Sequence, residues 1–189
     1  MTFNEKGPAQ ANLSLANGLA CLQAIVSAGR PLGSREVSRL LGLEHTRVSR
    51  LLGTLAALGL ASKTPDRKYQ PGHGIHVLAA QSLQGSGLLA AALPHLRPLL
   101  DNSLTLALGV LWRKNVCYLV HCPPGRPLEE GIGMLAPYPA IRSSIGNVLL
   151  ARMTDRAIRD ILQAPPDPMP QAECRTILKQ IAAVRRNGF

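Results

Sequence analysis

Cationic and polar side chains that can contact a nucleic acid are concentrated at the start of the segment LEHTRVSRLLGTLAALGL, residues 43–60. Arg47 and Arg50 can each donate paired hydrogen bonds to a phosphate or to a guanine edge. With successive residues placed 100° apart, the apolar side chains share one face. That face contains Val48, Leu51, Leu52, Leu55 and Leu58. The opposite face carries small and polar residues beside the two arginines: Thr46, Ser49, Gly53, Thr54 and Ala57. The pattern predicts a helix that packs on one side and can contact nucleic acid on the other.

A second group of potentially reactive side chains lies in the cysteine–histidine run CYLVHC, residues 117–122. Side chains alternate along a strand, which predicts that Cys117 and His121 share a face while Cys122 points to the other. One pair of cysteines falls short of a zinc-site signature. Buried cysteines and a half-exposed histidine are the favoured interpretation. A small thiol-dependent enzyme using Cys117 and His121 is the alternative.

Two further histidines, His73 and His76, lie at a helical i, i+3 spacing. Two ligands make a poor metal site, so we predict no bound metal and no cofactor. The sequence contains no glycine-rich phosphate loop, paired-carboxylate motif or nucleophile elbow. An enzyme is therefore not the preferred interpretation.

The composition points to a polyanionic partner. Lys and Arg number 21 against 11 Asp and Glu, and the formal net charge is +10. Nucleic acid is the first candidate, ahead of an anionic membrane surface or a small acidic ligand, and an ordinary basic surface is the alternative. The chain has four cysteines, no secretory signal and no apolar run that could span a bilayer. We expect a reduced, cytoplasmic setting without membrane contact.

Apolar periodicity and turn residues predict how the first part of the chain is organised. Residues 1–12 are expected to be a flexible tail, and residues 13–71 a DNA-binding domain. A first helix runs from Ser14, and a second covers Arg35 to Leu41 with Ser34 as its N-cap. The segment 43–60 is the third helix. A hairpin with Arg67 and Lys68 at its tip follows, so the order is that of a winged helix-turn-helix.

The remaining chain predicts a linker and a second domain. Residues 72–87 read as a linker helix that ends in a hinge, GlnGlySerGly at 84–87. Residues 88–189 read as an effector-binding and oligomerisation domain. Its expected elements are a proline-distorted helix (88–100), a hairpin (104–112 and 116–122), a strand (131–135) and three helices (143–153, 155–162 and 171–184).

Several stretches resemble the IclR-type bacterial transcriptional regulators. They are "SLANGLACLQAIVSAGRPLGSREVSRLLGLEHTRVSRLLGTLAALGL", "YQPG", "LPHLRPLLDNSLTLALGVLWRKNVCYLV" and "PYPAIRSSIGNVLLA". The resemblance covers nearly the whole chain in the same order. It implies mixed α and β structure: an N-terminal winged helix-turn-helix joined by a linker helix to a GAF/PAS-like α/β effector domain.

The resemblance also implies partners and site residues. The expected partners are a double-stranded DNA operator, a small organic effector of acidic or aromatic character, and further copies of the chain in a homodimer or homotetramer. The DNA-binding residues would be Ser34, Arg35, His45, Thr46, Arg47, Ser49, Arg50, Arg67 and Lys68. For the effector site the helix start at 142–146 is the best candidate, because hydroxyls and helix-start amides suit a carboxylate. The effector-binding residues would be Arg142, Ser143, Ser144 and Gly146, with Met134 and Leu135 lining the apolar part. The alternative is a simple capped helix in which Ser143 satisfies its own backbone.

The sequence departs from the family pattern in three places. Glu44-His45 stands where the family commonly has a Pro-Lys-like pair, so operator preference is expected to differ. Asn147 replaces the usual lysine after the glycine. Family members generally continue well past residue 189, so we expect a C-terminally short relative with an incomplete effector domain. A constitutive DNA-binding or architectural protein, whose second domain only oligomerises, is the alternative function.

Overall fold

The structure is a computed structural model that describes residues 12–100, 103–132, 136–164 and 168–188. The chain divides into two compact units, the first ending at Gly87 and the second beginning at Leu88. Each unit has its own buried core.

The first unit contains four helices and a two-stranded hairpin. Its elements are α1 (Leu13–Ser27), α2 (Ser34–Leu41), α3 (His45–Ala57), β1 (Ala61–Lys63), β2 (Tyr69–Pro71) and α4 (His73–Ser86). The first three helices pack around buried Ile25, Val37, Val48 and Leu52. The core therefore fixes α3 by its leucine and valine face, as its apolar periodicity predicts.

A tight turn joins α2 to α3. Gly42 closes α2 with a left-handed φ of +62°, a conformation that glycine adopts without a Cβ clash. Its backbone N–H donates to the Ser38 carbonyl, and the Ser38 hydroxyl donates to the Leu43 carbonyl at 2.6 Å. These contacts set the geometry between the two helices of a helix-turn-helix.

The hairpin after α3 forms a short wing. β1 and β2 pair antiparallel, with Ala61 opposite Pro71 and Lys63 opposite Tyr69. Leu32, in the α1–α2 connection, extends this sheet by exchanging two 2.8 Å backbone hydrogen bonds with Tyr69. The wing is thus tied to the helical core and does not project as an isolated loop.

The second unit combines a small antiparallel sheet with helices. Its helices and strands are α5 (Leu88–Leu96), β3 (Leu106–Trp112), β4 (Asn115–Cys122), β5 (Tyr138–Pro139), α6 (Ser144–Ala151), α7 (Asp155–Leu162) and α8 (Gln171–Asn187), with 3-10 turns at Arg97–Leu99, Leu128–Gly131 and Ala140–Arg142. The sheet order is β3-β4-β5. Pro94 lies inside α5, and the chain tightens into a 3-10 turn three residues later.

A β-bulge corrects the predicted placement of the cysteines and histidine. Gly109 pairs with Tyr118 and Leu108 with Val120, so Leu119 is an extra residue in β4. Val116 and Tyr118 face the core formed with α6–α8. Val120 and Cys122 face the core formed with α5. Cys117 and His121 therefore lie on opposite faces, and the prediction that they share one is wrong because it assumed unbroken alternation.

Three boundaries differ from expectation. Gly33, and not Ser34, is the N-cap of α2, because the backbone stays extended only to Gly33. α4 continues through Gly85 to Ser86, and only Gly87 leaves the helix with φ +63°. The strand expected at 131–135 begins within a 3-10 turn, and Ile132 forms a single bridge to Val120. Residues 133–135 lie outside the described part of the chain.

Arg185 of α8 holds the end of α6 in place. Its guanidinium donates to the Ala151 carbonyl at 2.9 Å and to the Met153 carbonyl at 2.6 Å, and it pairs with the Asp155 carboxylate at 2.7 Å. Carbonyls at a helix C-terminus lack intrahelical donors, and a cation there also complements the helix dipole.

Candidate nucleic-acid interface

The outer face of α3 presents the predicted side chains to solvent. His45, Thr46, Arg47 and Arg50 are exposed, and Ser49 is half-buried. Neither arginine side chain has an ion-pair partner within the described residues. The inner face buries Val48, Leu52 and Leu55 and half-buries Leu51. Leu58, predicted to join that face, is 66% exposed because α3 ends before it.

The start of α3 is occupied by a carboxylate. Glu44 is the N-cap, and its two oxygens accept the backbone N–H groups of Thr46 and Arg47, each at 2.7 Å. The Thr46 amide, followed by the Thr46 side chain and the Arg47 amide, lowers the pKa of the Glu44 carboxyl. These two amides are therefore occupied by the protein's own carboxylate.

A hydrogen bond links two of the predicted DNA-binding residues. Ser34 Oγ lies 3.0 Å from His45 Nε2, which joins the first residue of α2 to the first residue of α3. Ser34 thus orients His45 and does not cap α2. Arg35, the next residue on α2, is exposed. The polar N-terminal residues of α2 and α3 therefore lie together at the protein surface.

The wing tip carries a reduced positive charge. Lys68 pairs with the Asp66 carboxylate at 2.8 Å, whereas Arg67 has no ion-pair partner among the described residues. Arg67 adopts φ +62°, an uncommon conformation for a non-glycine residue. Thr64 secures the turn, since its hydroxyl accepts the Lys68 N–H at 3.1 Å. Of the two predicted wing cations, Arg67 is the freer one.

The predicted effector residues at the start of α6 divide into buried and exposed members. Ser143 is 5% exposed, and its hydroxyl accepts the Gly146 N–H at 3.2 Å and lies 2.8 Å from the Tyr118 hydroxyl. A Cβ on Gly146 would sit 2.1 Å from the Ala140 carbonyl oxygen, so only glycine fits there. Ser143 and Gly146 therefore build the helix start. Arg142 and Ser144 remain exposed.

Arg142 also lines a cavity of about 350 Å³ in the second unit. Its other charged and amide-bearing lining residues are Lys114, Asn115 and Glu173. Pro139, Ile141, Leu162 and Met169 contribute to its apolar wall. The cavity thus combines two cations and one carboxylate with an apolar surface. Met134 and Leu135, the other predicted effector residues, lie outside the described residues.

Sequence reasoning missed several residues of these surfaces. Lys63 on β1 stands over the Tyr69 ring at 5.7 Å from its centroid, adding a cation to the wing. The only sequence signal for the position of Lys63 was the alternation of side chains along β1, which is only three residues long. Lys114, Asn115 and Glu173 come from distant segments, and no local motif brings them together.

The remaining histidines and cysteines do not form a recognisable reactive site within the described residues. Burial raises the pKa of the Cys117 thiol, whereas a nucleophilic cysteine needs a lowered one. The His73 and His76 rings are 6.4 Å apart. Across the same part of the chain, no three His, Cys, Asp or Glu side chains are arranged to hold a metal ion. No helix described there is both long and apolar enough to cross a membrane.

Three helices followed by a tethered hairpin, with cations on the outer face of the third helix, define a winged helix-turn-helix protein. Residues 14–65 match the IclR helix-turn-helix domain. Over 113 residues, 59% of this chain, the chain is 35% identical to the HTH-type transcriptional regulator TsaQ1/TsaQ2 of Comamonas testosteroni. The chain is thus similar to transcriptional regulators of the IclR type, and its first unit contains the stretch that matches their helix-turn-helix domain.

Solved structures extend this similarity beyond the first unit. An IclR family transcriptional regulator from Brucella abortus matches with a TM-score of 0.74 and 26% identity, covering 99% of this chain and 71% of that one. An IclR homolog from Microbacterium hydrocarbonoxydans, solved with 4-hydroxybenzoate, shares the fold at a TM-score of 0.65 and 19% identity, covering 93% and 75%. The predicted fold class, a winged helix-turn-helix followed by an α/β domain, is confirmed. The chain spans 40% and 52% of the lengths of two curated relatives.

Proposed function

We propose that the chain binds operator DNA through its first unit, with α3 in the major groove as the recognition helix. The observation that carries this proposal is the exposed outer face of α3, where Arg47 and Arg50 are free of ion pairs within the described residues. Unpaired guanidinium groups beside small residues allow close approach to phosphates and base edges. The wing, through Arg67, would contact the adjacent backbone or minor groove.

The test is a gel shift on the gene's own upstream DNA over a series of salt concentrations. Phosphate contacts release counterions, so affinity must fall as salt rises. Replacing Arg50 with alanine should weaken specific binding by about 1–3 kcal/mol if it reads a base. Arg175→Ala is the matched control, since Arg175 is exposed in the second unit. Salt-independent binding, or an Arg50→Ala variant equal to the control, would contradict the proposal.

The proposed recognition surface needs a second copy of the chain, because one small winged helix buries limited DNA surface. The described structure supports self-association through apolar residues that the unit does not bury. Leu15 and Leu19 on α1 are 62% and 55% exposed, and Val77 and Leu78 on α4 are each 54% exposed. α4 has no buried residue at all among those described. A Val77→Glu variant should shift the protein toward monomer in light scattering, and an unchanged mass would argue against this face.

The second unit is proposed to bind a small organic acid that changes DNA binding. Arg142 and Ser144 are exposed beside the start of α6, and Arg142 borders the cavity. A structural neighbour with the same fold was solved with 4-hydroxybenzoate, an aromatic acid. Differential affinity of the acid for two arrangements of the protein would couple the two activities.

A thermal-shift panel of organic acids, including 4-hydroxybenzoate, tests the effector proposal. A stabilising acid should also alter the gel shift, and Arg142→Ala should weaken its effect while Arg152→Ala does not. Both arginines are exposed, so neither substitution creates a cavity in the hydrophobic core. A flat response to every acid would favour the alternative of a constitutive DNA-binding protein whose second unit only oligomerises.

A further inference from the structure

The carboxylate at the start of α3 has no ion-pair partner among the described residues. Three acidic residues of the first unit lie within its described part: Glu36, Glu44 and Asp66. Glu36 pairs with Arg30, and Asp66 pairs with Lys68. Glu44 is held instead by the amides of Thr46 and Arg47. No ion pair within the described residues neutralises its charge, although the Thr46 side chain also helps to lower the pKa of this carboxyl.

This charge lies on the surface proposed to meet DNA. Glu44 is exposed and directly precedes His45, Thr46 and Arg47, which are exposed as well. The amides at the second and third positions of a helix are the groups that commonly bind a phosphate. Here both are already satisfied, and the group that satisfies them is an anion. A DNA phosphate at these two amides would meet charge repulsion and find both donors already occupied.

The carboxylate retains capacity to accept further hydrogen bonds. Each oxygen has two lone-pair sites, and one site on each is used by a backbone amide. Donors in the major groove are the exocyclic amines of cytosine and adenine, and acidic side chains accept from cytosine N4. Guanine and thymine present acceptors at the corresponding edge, which would repel the carboxylate.

We infer that Glu44 is a specificity-determining residue: its carboxylate excludes phosphate from the backbone amides at the start of α3 and selects a base that presents an exocyclic amine, cytosine or adenine. This inference rests on the proposed DNA-binding function. Glu44 lowers affinity for DNA of unrelated sequence, while the arginines supply general attraction. One carboxylate thereby widens the gap between specific and non-specific binding.

The test is selection of binding sites from a pool of randomised DNA duplexes by the full chain and its variants. Glu44→Ser removes the charge but keeps an oxygen that caps helices well. Glu44→Gln keeps length and one carbonyl acceptor, and serves if the serine variant folds poorly. Glu129→Ser, an exposed carboxylate of the second unit, is the control for net charge.

The wild type should enrich cytosine or adenine at one position of each half-site. Glu44→Ser should lose that preference, keep the rest of the motif and bind a scrambled duplex about threefold to tenfold more tightly at low salt. Glu129→Ser should change neither property. An unchanged motif in both Glu44 variants, or equal tightening by the Glu129 control, overturns the inference. A wild type that enriches nothing and binds without salt dependence defeats the proposed DNA-binding function instead.

Discussion

Two helix starts in this chain are capped in opposite ways. The N-cap of α3 is Glu44, a charged and exposed residue whose oxygens accept hydrogen bonds from two backbone amides. The N-cap of α6 is Ser143, a neutral and buried residue whose hydroxyl contacts both the Gly146 amide and the Tyr118 hydroxyl. The first cap faces solvent, so its chemistry is available to a partner. The second cap is buried and already hydrogen-bonded within the protein. A ligand at the start of α6 would therefore have to contact the exposed neighbours Arg142 and Ser144.

The contrast also concerns the space around the two helices. Gly53 lies on the open face of α3, where a Cβ added to it would have no neighbouring atom within 4 Å, whereas a Cβ on Gly146 of α6 would collide with the Ala140 backbone. Glycine therefore has a different structural effect on each helix. Gly53 leaves the outer surface of α3 open, whereas Gly146 allows the Ala140 backbone to pack closely against α6.

The largest expected effect is on Gly146. Replacing it with alanine should lower the free energy of unfolding by about 3 kcal/mol, since the Ala140–Arg142 turn must shift to admit the methyl group. Gly53→Ala should instead stabilise the protein by roughly 0.5–1 kcal/mol, because alanine is the better helix former. Urea unfolding measures both. If both variants shift the midpoint alike, the two glycines are not distinguished by packing.

An intermediate effect is expected for the buried cap. Ser143→Ala should cost about 2 kcal/mol, because it leaves the Gly146 amide and the Tyr118 hydroxyl without their buried partner. Ser144→Ala, one residue later and exposed, should stay within roughly 0.5 kcal/mol of the wild type. A double-mutant cycle of Ser143→Ala with Tyr118→Phe should be non-additive. Additive losses would mean that the two hydroxyls do not act as one unit.

The smallest effect is expected for the exposed cap, and it should depend on pH. The pKa of Glu44 is lowered by the amides that it caps, so its stabilising contribution is complete above the ordinary glutamate pKa of about 4.3. That contribution is lost as pH falls through the lower pKa of the folded state. The wild type should therefore melt above Glu44→Gln at about pH 7, and the gap should narrow as the pH falls below the ordinary glutamate pKa of about 4.3. A gap that widens on acidification would reverse the assigned sign.

The first unit was largely predictable because its signals are local. Leucine spacing marks α3, Gly42 marks the turn before it, and Pro65-Asp66 marks the wing. Capping was harder to predict: Gly33 took the place expected of Ser34, and Glu44 caps α3 although glutamate is not among the preferred N-cap residues. These outcomes depend on backbone angles that composition does not reveal.

The second unit was less predictable because its features join distant segments. The cavity brings Lys114 together with Arg142 and Glu173, which come from three separate parts of the chain. The faces of β4 depend on where one extra residue enters the ladder, and the pattern CYLVHC contains no sign of it. The DNA-binding and effector roles of individual side chains remain predictions that the variants above would test.

The extra residue in β4 has a consequence for comparing this chain with its relatives. Because Leu119 has no partner in β3, a relative without the bulge should align with a one-residue gap between Tyr118 and Val120. An ungapped alignment there would match core positions of one face with those of the other, and would equate His121 with a residue that points away from α6. Transfer of effector contacts between relatives along this strand should follow the ladder pairing of each structure, since residue order alone assigns the wrong side chains.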